Sequence, residues 1–252
     1  MDNENKQYYL YGMHPVTDAV RQGRRFEKIL FKKGLEGTQF RTLLEEVDRR
    51  DIPYQFVPGE KLNHLVKGSH QGVVAFLAQV EYLPFEEMVE AALSRKAFPL
   101  FLVLDGVSDV RNLGAIARSA ECAGVDGIVV PAKGSAAINA DAVKTSAGAL
   151  LRIPAARVAN LRTALYYFRE SEFQIVAASE KAEDEIYDVN FKKATVIVMG
   201  SEGKGISEGV LNLCTAGARI PIVGQTGSLN VSVAAALVLF EAVRQRRGVN
   251  TE

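Results

Sequence analysis

The sequence predicts an α/β protein whose larger part is a parallel β-sheet with helices on both faces. From residue 100 onward, short apolar runs rich in β-branched residues alternate with segments of helical periodicity. Strands that are apolar along their whole length are typical of a parallel sheet covered on both sides. The predicted strands are 100–105, 127–131, 174–179, 195–200 and 218–222. The predicted helices are 113–123, 140–150, 161–170, 208–213 and 232–246.

A smaller α/β segment precedes this pattern. Its predicted helices are 11–22 and 38–50, and its predicted strands are 28–31, 54–57 and 73–79. Pro15 suits the first turn of the first helix, where a missing amide hydrogen costs nothing. Residues 80–99 contain a further amphipathic helix at 85–93, between Pro84 and Pro99. We therefore expect a first domain at 1–80, a linker at 81–98 and a second domain at 99–252.

The composition is that of a soluble globular protein, with 48% hydrophobic and 24% charged residues and a net charge of zero. No apolar run approaches the roughly 18 residues that span a bilayer, and the polar start lacks a signal-peptide core. We therefore expect a cytoplasmic protein without a membrane partner. The two cysteines, Cys122 and Cys214, exclude a disulfide scaffold. The histidines offer no metal-ligand spacing, so we expect no metal; they are His14, His64 and His70.

A basic cluster interrupts the balanced charge near the start of the chain. Six cations face a single acid, Glu27, between residues 21 and 33: Arg21, Arg24, Arg25, Lys28, Lys32 and Lys33. Such a cluster can neutralise phosphates and release counterions, which favours RNA binding. A solvated edge between a helix and a strand would explain the same residues equally well.

Three further stretches carry polar residues at strand ends, where open α/β sheets bind their ligands. In the first, residues 105–127, Asn112, Arg118 and Glu121 fall off the buried stripe of a helix. Arg118 and Glu121 are spaced i, i+3, so the carboxylate is expected to hold the guanidinium. Alternatively, Asn112 caps the helix and Arg118 makes a surface salt bridge.

The second stretch, residues 199–207, reads MGSEGKGIS and follows a predicted buried strand. Its glycines allow tight turns and a close approach of the backbone to a ligand. The Gly-Lys-Ser/Thr ending of a phosphate-binding loop is missing, and so is the glycine order of a dinucleotide site. Glu202 would repel phosphates, which favours a ligand with hydroxyl or ammonium groups. A loop that only turns the chain is the alternative.

The third stretch, residues 220–246, contains a polar loop at 224–230 that runs directly into a helix. Ser228, Asn230 and Ser232 offer hydroxyl and amide groups at the start of that helix. These side chains either cap the helix or hold a small polar ligand.

Taken in order, these stretches resemble the three motifs of the SPOUT superfamily. The motifs are Asn-x5-Arg at 112–118, GSEGKGIS at 200–207 and IPIVGQTGSLNVSVAAAL at 220–237. More narrowly, the chain resembles the SpoU/TrmH branch of RNA ribose 2′-O-methyltransferases. YGMHPVTDAV and SHQGVVAF resemble the substrate-binding domain of the 23S rRNA guanosine 2′-O-methyltransferases. The resemblance covers nearly the whole chain.

The resemblance implies a C-terminal α/β domain tied in a deep trefoil knot and a ribosomal-protein-like RNA-binding module before it. It also implies S-adenosylmethionine as cofactor, RNA (23S rRNA) as partner, and a homodimer whose interface includes the helix at 232–246. Residues matching the cofactor contacts are Gly200, Ile220 and Leu229. Residues matching the catalytic set are Asn112, Arg118, Glu202, Ser228 and Asn230. A guanidinium is not deprotonated in proteins, so we interpret Arg118 as a phosphate clamp rather than a base.

Other functions stay open at this point. A tRNA ribose methyltransferase of the same branch, or a relative that confers antibiotic resistance by methylating rRNA, would carry the same motifs. A non-catalytic RNA-binding factor of ribosome assembly is the alternative from another class. A nucleotide-dependent oxidoreductase is excluded because no suitable glycine fingerprint follows the first strand of the sheet.

Overall fold

The computed structural model describes residues 9–77 and 80–247, and the chain divides into two units between Glu81 and Tyr82. The segment that we expected to be a linker, 81–98, contains a helix at Phe85–Leu93. Phe85, Met88 and Val89 are buried in the hydrophobic core of the second unit. Much of the expected linker is therefore part of that unit.

The first unit consists of a four-stranded sheet with helices on both faces. Its elements are β1 Tyr9–Tyr11, α1 Met13–Arg21, β2 Phe26–Lys32, α2 Thr38–Arg49, β3 Tyr54–Val57, α3 Gly59–Leu65 and β4 Val73–Leu77. The strand order is β1-β4-β2-β3; β2 and β3 are parallel, and the other pairs are antiparallel. Ile29 packs with residues of α1 and α2, whereas its neighbour Leu30 packs with Leu62 of α3. Successive side chains of this strand thus point to opposite faces of the sheet and pack in two separate hydrophobic cores.

Two elements of this unit differ from prediction. The helix predicted at 11–22 begins only at Met13, because Tyr11 pairs with Val74 in the sheet. The strand β1 and the helix α3 were not predicted. Residues 78–79 of the strand predicted at 73–79 lie outside the described residues.

The second unit contains the parallel sheet that the sequence predicts, and this prediction is confirmed. Its strands are β5 Leu100–Asp105, β6 Gly127–Pro131, β7 Ala155–Val158, β8 Gln174–Ala178, β9 Thr195–Gly200 and β10 Ala216–Ala218. Its helices are α4 Phe85–Leu93, α5 Val110–Cys122, α6 Ala140–Thr145, α7 Leu161–Glu170, α8 Glu208–Leu211 and α9 Val231–Arg246. The strand order is β10-β8-β9-β5-β6-β7, and every pair is parallel.

Helices cover both faces of this sheet. Phe101, Leu102 and Val103 are consecutive residues of β5 with no exposed surface, so neither face is open to solvent. On one face, Phe101 packs with Phe168 and Phe173. The helices α5 and α9 pack against each other, and α9 also contacts β8 and β9. Because all six strands run the same way, the loops after β5, β8, β9 and β10 emerge at one edge.

Several predictions for this unit differ from the structure in detail. The strand predicted at 218–222 lies at Ala216–Ala218 as β10 and overlaps the prediction at one residue. Beyond it, the Arg219 amide donates to the Asp184 carbonyl of a loop, and Pro221 has no amide hydrogen to donate to a ladder. The helix predicted at 140–150 ends at Thr145, because Ala147 and Gly148 adopt positive φ angles of 50° and 78°. The strand β7 was not predicted. Within the described residues, no helix has both the length and the apolar character needed to cross a bilayer.

Candidate active site

The helix α5, which follows β5, presents Asn112 toward the glycine-rich loop. The cap of α5 is Asp109, whose Oδ1 accepts hydrogen bonds from the backbone amides of Arg111 and Asn112 at 2.7 and 2.9 Å. The Asn112 side chain is therefore not needed as a cap. Its Nδ2 donates instead to Oε1 of Glu202, at 3.1 Å. The alternative in which Asn112 caps the helix is wrong.

Asn230 completes a polar triad with Asn112 and Glu202. Its Nδ2 donates to Oε1 of Glu202 at 2.7 Å and to Oδ1 of Asn112 at 3.1 Å. Its Oδ1 accepts from the Ser232 backbone amide at 2.9 Å and from the Ser232 hydroxyl at 2.6 Å, which caps α9. The Nδ2 group of this amide thus belongs to the triad, whereas its Oδ1 caps the helix. The three predicted motifs meet here.

The loop after β9 is closed upon itself, and this closure requires glycine at position 200. A Cβ at Gly200 would lie 2.1 Å from the carbonyl carbon of Gly205 and 2.3 Å from the amide nitrogen of Ile206. Ser201 and Gly205 exchange backbone hydrogen bonds of 3.0 and 2.9 Å across the turn. Backbone atoms cannot rotate away as a side chain can, so any larger residue at 200 must open the loop.

A cavity of about 360 Å³ opens beside the triad at the carboxyl edge of the sheet. This volume falls in the range of roughly 300–1,000 Å³ that is typical of small-molecule sites. Its lining residues come from the ends of β8 and β9, the glycine loop and the start of α9: Ala178, Glu180, Met199, Gly200, Ser201, Glu202, Gly203, Gly205, Ser228, Leu229, Asn230, Val231 and Ala234. A smaller cavity of about 80 Å³ shares Glu180, Ser228 and Leu229 with it and adds Ile220 and Ile222.

The predicted cofactor residues all line these two cavities. Gly200 borders the larger one, Ile220 borders the smaller one, and Leu229 borders both. Of the predicted catalytic set, Ser228 borders both cavities, and Glu202 and Asn230 border the larger. Asn112 reaches the site through its hydrogen bonds in the triad.

Arg118 is not brought to this cavity. It is exposed on α5, six residues beyond Asn112, which places it about 9 Å farther along the helix axis and about 120° around it. Its predicted pairing with Glu121 is wrong, because Nε of Arg152 binds Oε1 of Glu121 at 2.8 Å. The Arg152 guanidinium holds the pKa of Glu121 below its usual value. Arg118 makes no hydrogen bond or ion pair with any other residue in the described part of the chain.

The basic cluster of the first unit is exposed, but it is not one patch. Arg24 and Arg25 precede β2, whereas Lys32 and Lys33 lie at its far end, about 20 Å away for a seven-residue strand. Lys28 lies between these groups, with its Nζ 5.3 Å from the centroid of the Phe76 ring. Arg21 ends α1 and belongs with Arg24 and Arg25. Arg25 also binds Glu81 at 2.9 Å. A contiguous cluster in sequence thus becomes two patches in space.

Sequence reasoning missed Glu180, which lines both cavities. Its signal was its place directly after a predicted strand, at the edge where open α/β sheets bind ligands.

Cys214 offers no nucleophile, because burial raises the pKa of its thiol to about 12. Among the described residues, no group of three or more His, Cys, Asp or Glu side chains is placed to hold a metal ion.

The architecture defines a class before any comparison: an α/β protein with a small-molecule cavity at the carboxyl edge of a parallel sheet, preceded by a separate small domain. Comparison with known proteins narrows this class. The SpoU rRNA Methylase family matches residues 99–240. A second domain family, described as RNA 2′-O ribose methyltransferase substrate binding, matches residues 9–83.

Whole-chain relatives agree with these domain matches. A putative TrmH family tRNA/rRNA methyltransferase from Staphylococcus haemolyticus is 33% identical over 240 residues, which are 95% of this chain and 96% of that protein. The crystal structure of the SpoU methyltransferase AviRb from Streptomyces viridochromogenes, in complex with AdoMet, is 26% identical with a TM-score of 0.60. It covers 97% of this chain and 94% of its own. An AdoMet-bound rRNA methyltransferase from Sinorhizobium meliloti has 25% identity and a TM-score of 0.62, over 97% of this chain and 88% of its own.

The chain therefore belongs to the SpoU/TrmH family of RNA methyltransferases. The resemblance drawn from the three motifs is confirmed, and so is the expectation that the protein is an enzyme rather than a non-catalytic assembly factor.

Proposed function

We propose that this protein is a cytoplasmic enzyme that transfers a methyl group from S-adenosylmethionine to a ribose 2′-hydroxyl of RNA, with a guanosine of 23S rRNA as its target. The observation that carries this proposal is the cavity beside the polar triad, lined by all three motif-derived cofactor residues. Two relatives of similar fold were solved with AdoMet bound. The match of residues 9–83 to a 2′-O ribose substrate-binding domain supports the acceptor.

The cavity suits the methyl donor in size and charge. Glu180 and Glu202 are the charged side chains among the described lining residues, and neither Lys nor Arg joins them. A cation is therefore favoured over a phosphate-bearing ligand. Gly200, Ile220 and Leu229 would hold the ligand, and the missing side chain of Gly200 lets its backbone approach closely. When bound, S-adenosylmethionine supplies a methyl group attached to a positively charged sulfur.

The residues of the chain must align the ribose and remove its proton. A ribose hydroxyl is hardly ionised near neutral pH, and positioning alone contributes up to roughly 7–11 kcal/mol in ideal cases. The Ser228 hydroxyl lines both cavities and can pass the proton to water. The triad fixes Glu202 and Asn230 at the cavity wall. Arg118 clamps the adjacent RNA phosphate with its fork of donors.

The protein acts as a homodimer in this proposal, with α9 in the interface. One face of α9 packs inside the unit, yet Val233, Leu237 and Phe240 lie on another face at i, i+4 and i+7 spacing and are 47%, 43% and 48% exposed. A helix that is apolar on both faces is typically covered on both, and a second copy would cover this one. Arg118, which does not reach its own cavity, would then serve the cavity of the partner subunit.

We also propose that the C-terminal segment is threaded as a deep trefoil knot. After the edge strand β10, the chain returns to Asn230 beside the glycine loop, and α9 packs on α5. On its way, the segment pairs with a preceding loop, where the Ile186 amide donates to the Arg219 carbonyl at 2.9 Å. An experimental structure that traces residues 179–231 tests the threading.

Methyl transfer to defined RNAs tests the main proposal. The purified protein with isotopically labelled S-adenosylmethionine should label 23S rRNA and leave tRNA unlabelled, and mapping of 2′-O-methylation should find the mark on a guanosine ribose. A label on tRNA alone would reassign the enzyme to tRNA. A label on a base, or the absence of S-adenosylmethionine binding by calorimetry, would refute the proposal.

Mixing two inactive variants tests the shared site. In a dimer of Arg118→Ala and Glu202→Ala chains, one site keeps Glu202 and receives Arg118 from its neighbour, whereas the other site lacks both. Equal mixing and exchange should restore about one quarter of the wild-type sites, since half of the dimers are mixed and each has one intact site. If Arg118 acted on its own cavity, mixing would restore no activity.

A further inference from the structure

Glu180 has no assigned role, although it borders both cavities. It follows β8 by two residues and is exposed. Within the described part of the chain, its carboxylate makes no hydrogen bond or ion pair. Glu202, the other acid of the larger cavity, differs in this respect because Asn112 and Asn230 both donate to its Oε1. Glu180 is therefore the carboxylate left available to a ligand.

The charge of the cavity is unbalanced. Its two carboxylates face no Lys or Arg among the described lining residues, and the donors that hold Glu202 are neutral amides. A neutral ligand gains at most hydrogen bonds from such a surface, whereas a cationic ligand is also attracted by the charge of both acids. This asymmetry matters for methyl transfer because the reaction changes the charge of the bound molecule.

We propose that Glu180 recognises the positive charge of the methyl donor and so makes the site prefer the donor to its demethylated product. The inference rests on the proposed function. In the reaction, the bond from sulfur to methyl breaks as the bond from ribose oxygen to methyl forms. The sulfonium becomes a neutral thioether, and the hydroxyl proton leaves to solvent. The attraction to Glu180 is therefore strongest before the transfer and is reduced by one charge after it, which favours product release.

Calorimetric titration with S-adenosylmethionine and with S-adenosylhomocysteine tests this role without relying on turnover. Glu180→Gln keeps the size of the side chain and removes its charge. It should weaken binding of the methyl donor by about two- to fivefold, the effect expected of one solvent-exposed charge pair. Binding of the product should change less than about twofold. Glu183→Gln removes an exposed charge from the same loop, away from the cavity lining, and should change neither affinity.

Added salt gives a second reading of the same interaction. Raising the ionic strength should weaken donor binding to the wild type more than to Glu180→Gln, because salt screens the charge that only the wild type has. The inference is overturned if Glu180→Gln weakens both ligands equally, which would indicate a hydrogen bond to a group that they share. It is also overturned if neither affinity changes. A wild type that binds neither ligand would refute the proposed function itself.

Discussion

Replacing Asn230 by Asp isolates what holds the triad together. Asp keeps an oxygen for the Ser232 amide and caps a helix as well as Asn does. It loses the Nδ2 donor that reaches Glu202 at 2.7 Å and Asn112 at 3.1 Å. In its place, it puts a second carboxylate beside Glu202. The substitution therefore spares the cap of α9 and damages only the triad.

The expected cost follows from these contacts. A hydrogen bond to a charged acceptor contributes about 1.5–3 kcal/mol. Two like charges at the observed separation repel by about 1.5 kcal/mol in a water-like dielectric, which applies because these side chains are exposed. A negative charge at a helix start returns about 0.3–1 kcal/mol. We expect Asn230→Asp to lower the free energy of unfolding by about 2–4 kcal/mol.

Urea unfolding followed by circular dichroism measures this cost, and the chain offers a matched control. Asn160 caps α7 through the same contact, with its Oδ1 accepting from the Arg162 amide at 2.9 Å. Asn160→Asp should be neutral or slightly stabilising because no carboxylate faces it at hydrogen-bonding distance among the described residues. Adding Glu202→Gln to Asn230→Asp should recover at least half of the loss, since the Gln amide can donate to the new carboxylate.

Either of two results would show that the triad does not stabilise the fold in this way. One is an Asn230→Asp protein as stable as the Asn160→Asp control. The other is a double variant that is less stable than Asn230→Asp alone, which would mean that Glu202 stabilises the fold by contacts outside the triad.

Three further substitutions test other contacts. Gly200→Ala should lower the melting temperature by forcing the loop open, at a cost of about 1–3 kcal/mol, and should weaken S-adenosylmethionine binding in the same titration. Arg246→Met should cost about 2–4 kcal/mol in urea unfolding, because Arg246 donates to the carbonyls of Phe98, Phe191 and Lys193; the neighbouring Arg247→Met should not. Arg244 holds the pKa of the buried Glu241 below its usual 4.5, so Glu241 stabilises the fold at neutral pH and stops doing so as pH falls through that lowered pKa. The gap in melting temperature between wild type and Glu241→Gln should therefore narrow as the pH falls below 4.5 and through the lowered pKa; a constant gap would contradict this assignment.

The strands of the central sheet were predictable because burial on both faces leaves a continuous apolar run. The runs at 100–105, 127–131 and 195–200 match β5, β6 and β9 residue for residue. The short strand β7 reads AARV and carries no such apolar run. Its position is determined instead by its pairing with β6. The strand β1 is shorter still, with three residues. In both, neighbours in space rather than local sequence decide the structure.

In the candidate site, too, local motifs predicted some features, whereas others depend on contacts between distant residues. Asn112, Glu202 and Asn230 carry local motif signals, and the fold brings them within hydrogen-bonding distance. The pairing of side chains was predicted poorly. Spacing along a helix does not reveal whether a residue from another part of the chain binds the same partner. Arg152, 31 positions away along the chain, binds Glu121. Arg118 therefore lacks the partner that its i, i+3 spacing predicted.

The double task of Asn230 makes the first turn of α9 a reporter of the site. Helix ends are where proteins open most readily, and backbone amides there exchange with solvent through local unfolding. The Ser232 amide is held by Asn230, whose other end is held by Glu202 and Asn112. Fraying of the helix and loosening of the triad are thus coupled through the Asn230 side chain. Hydrogen exchange at Ser232 therefore measures how often the site comes apart.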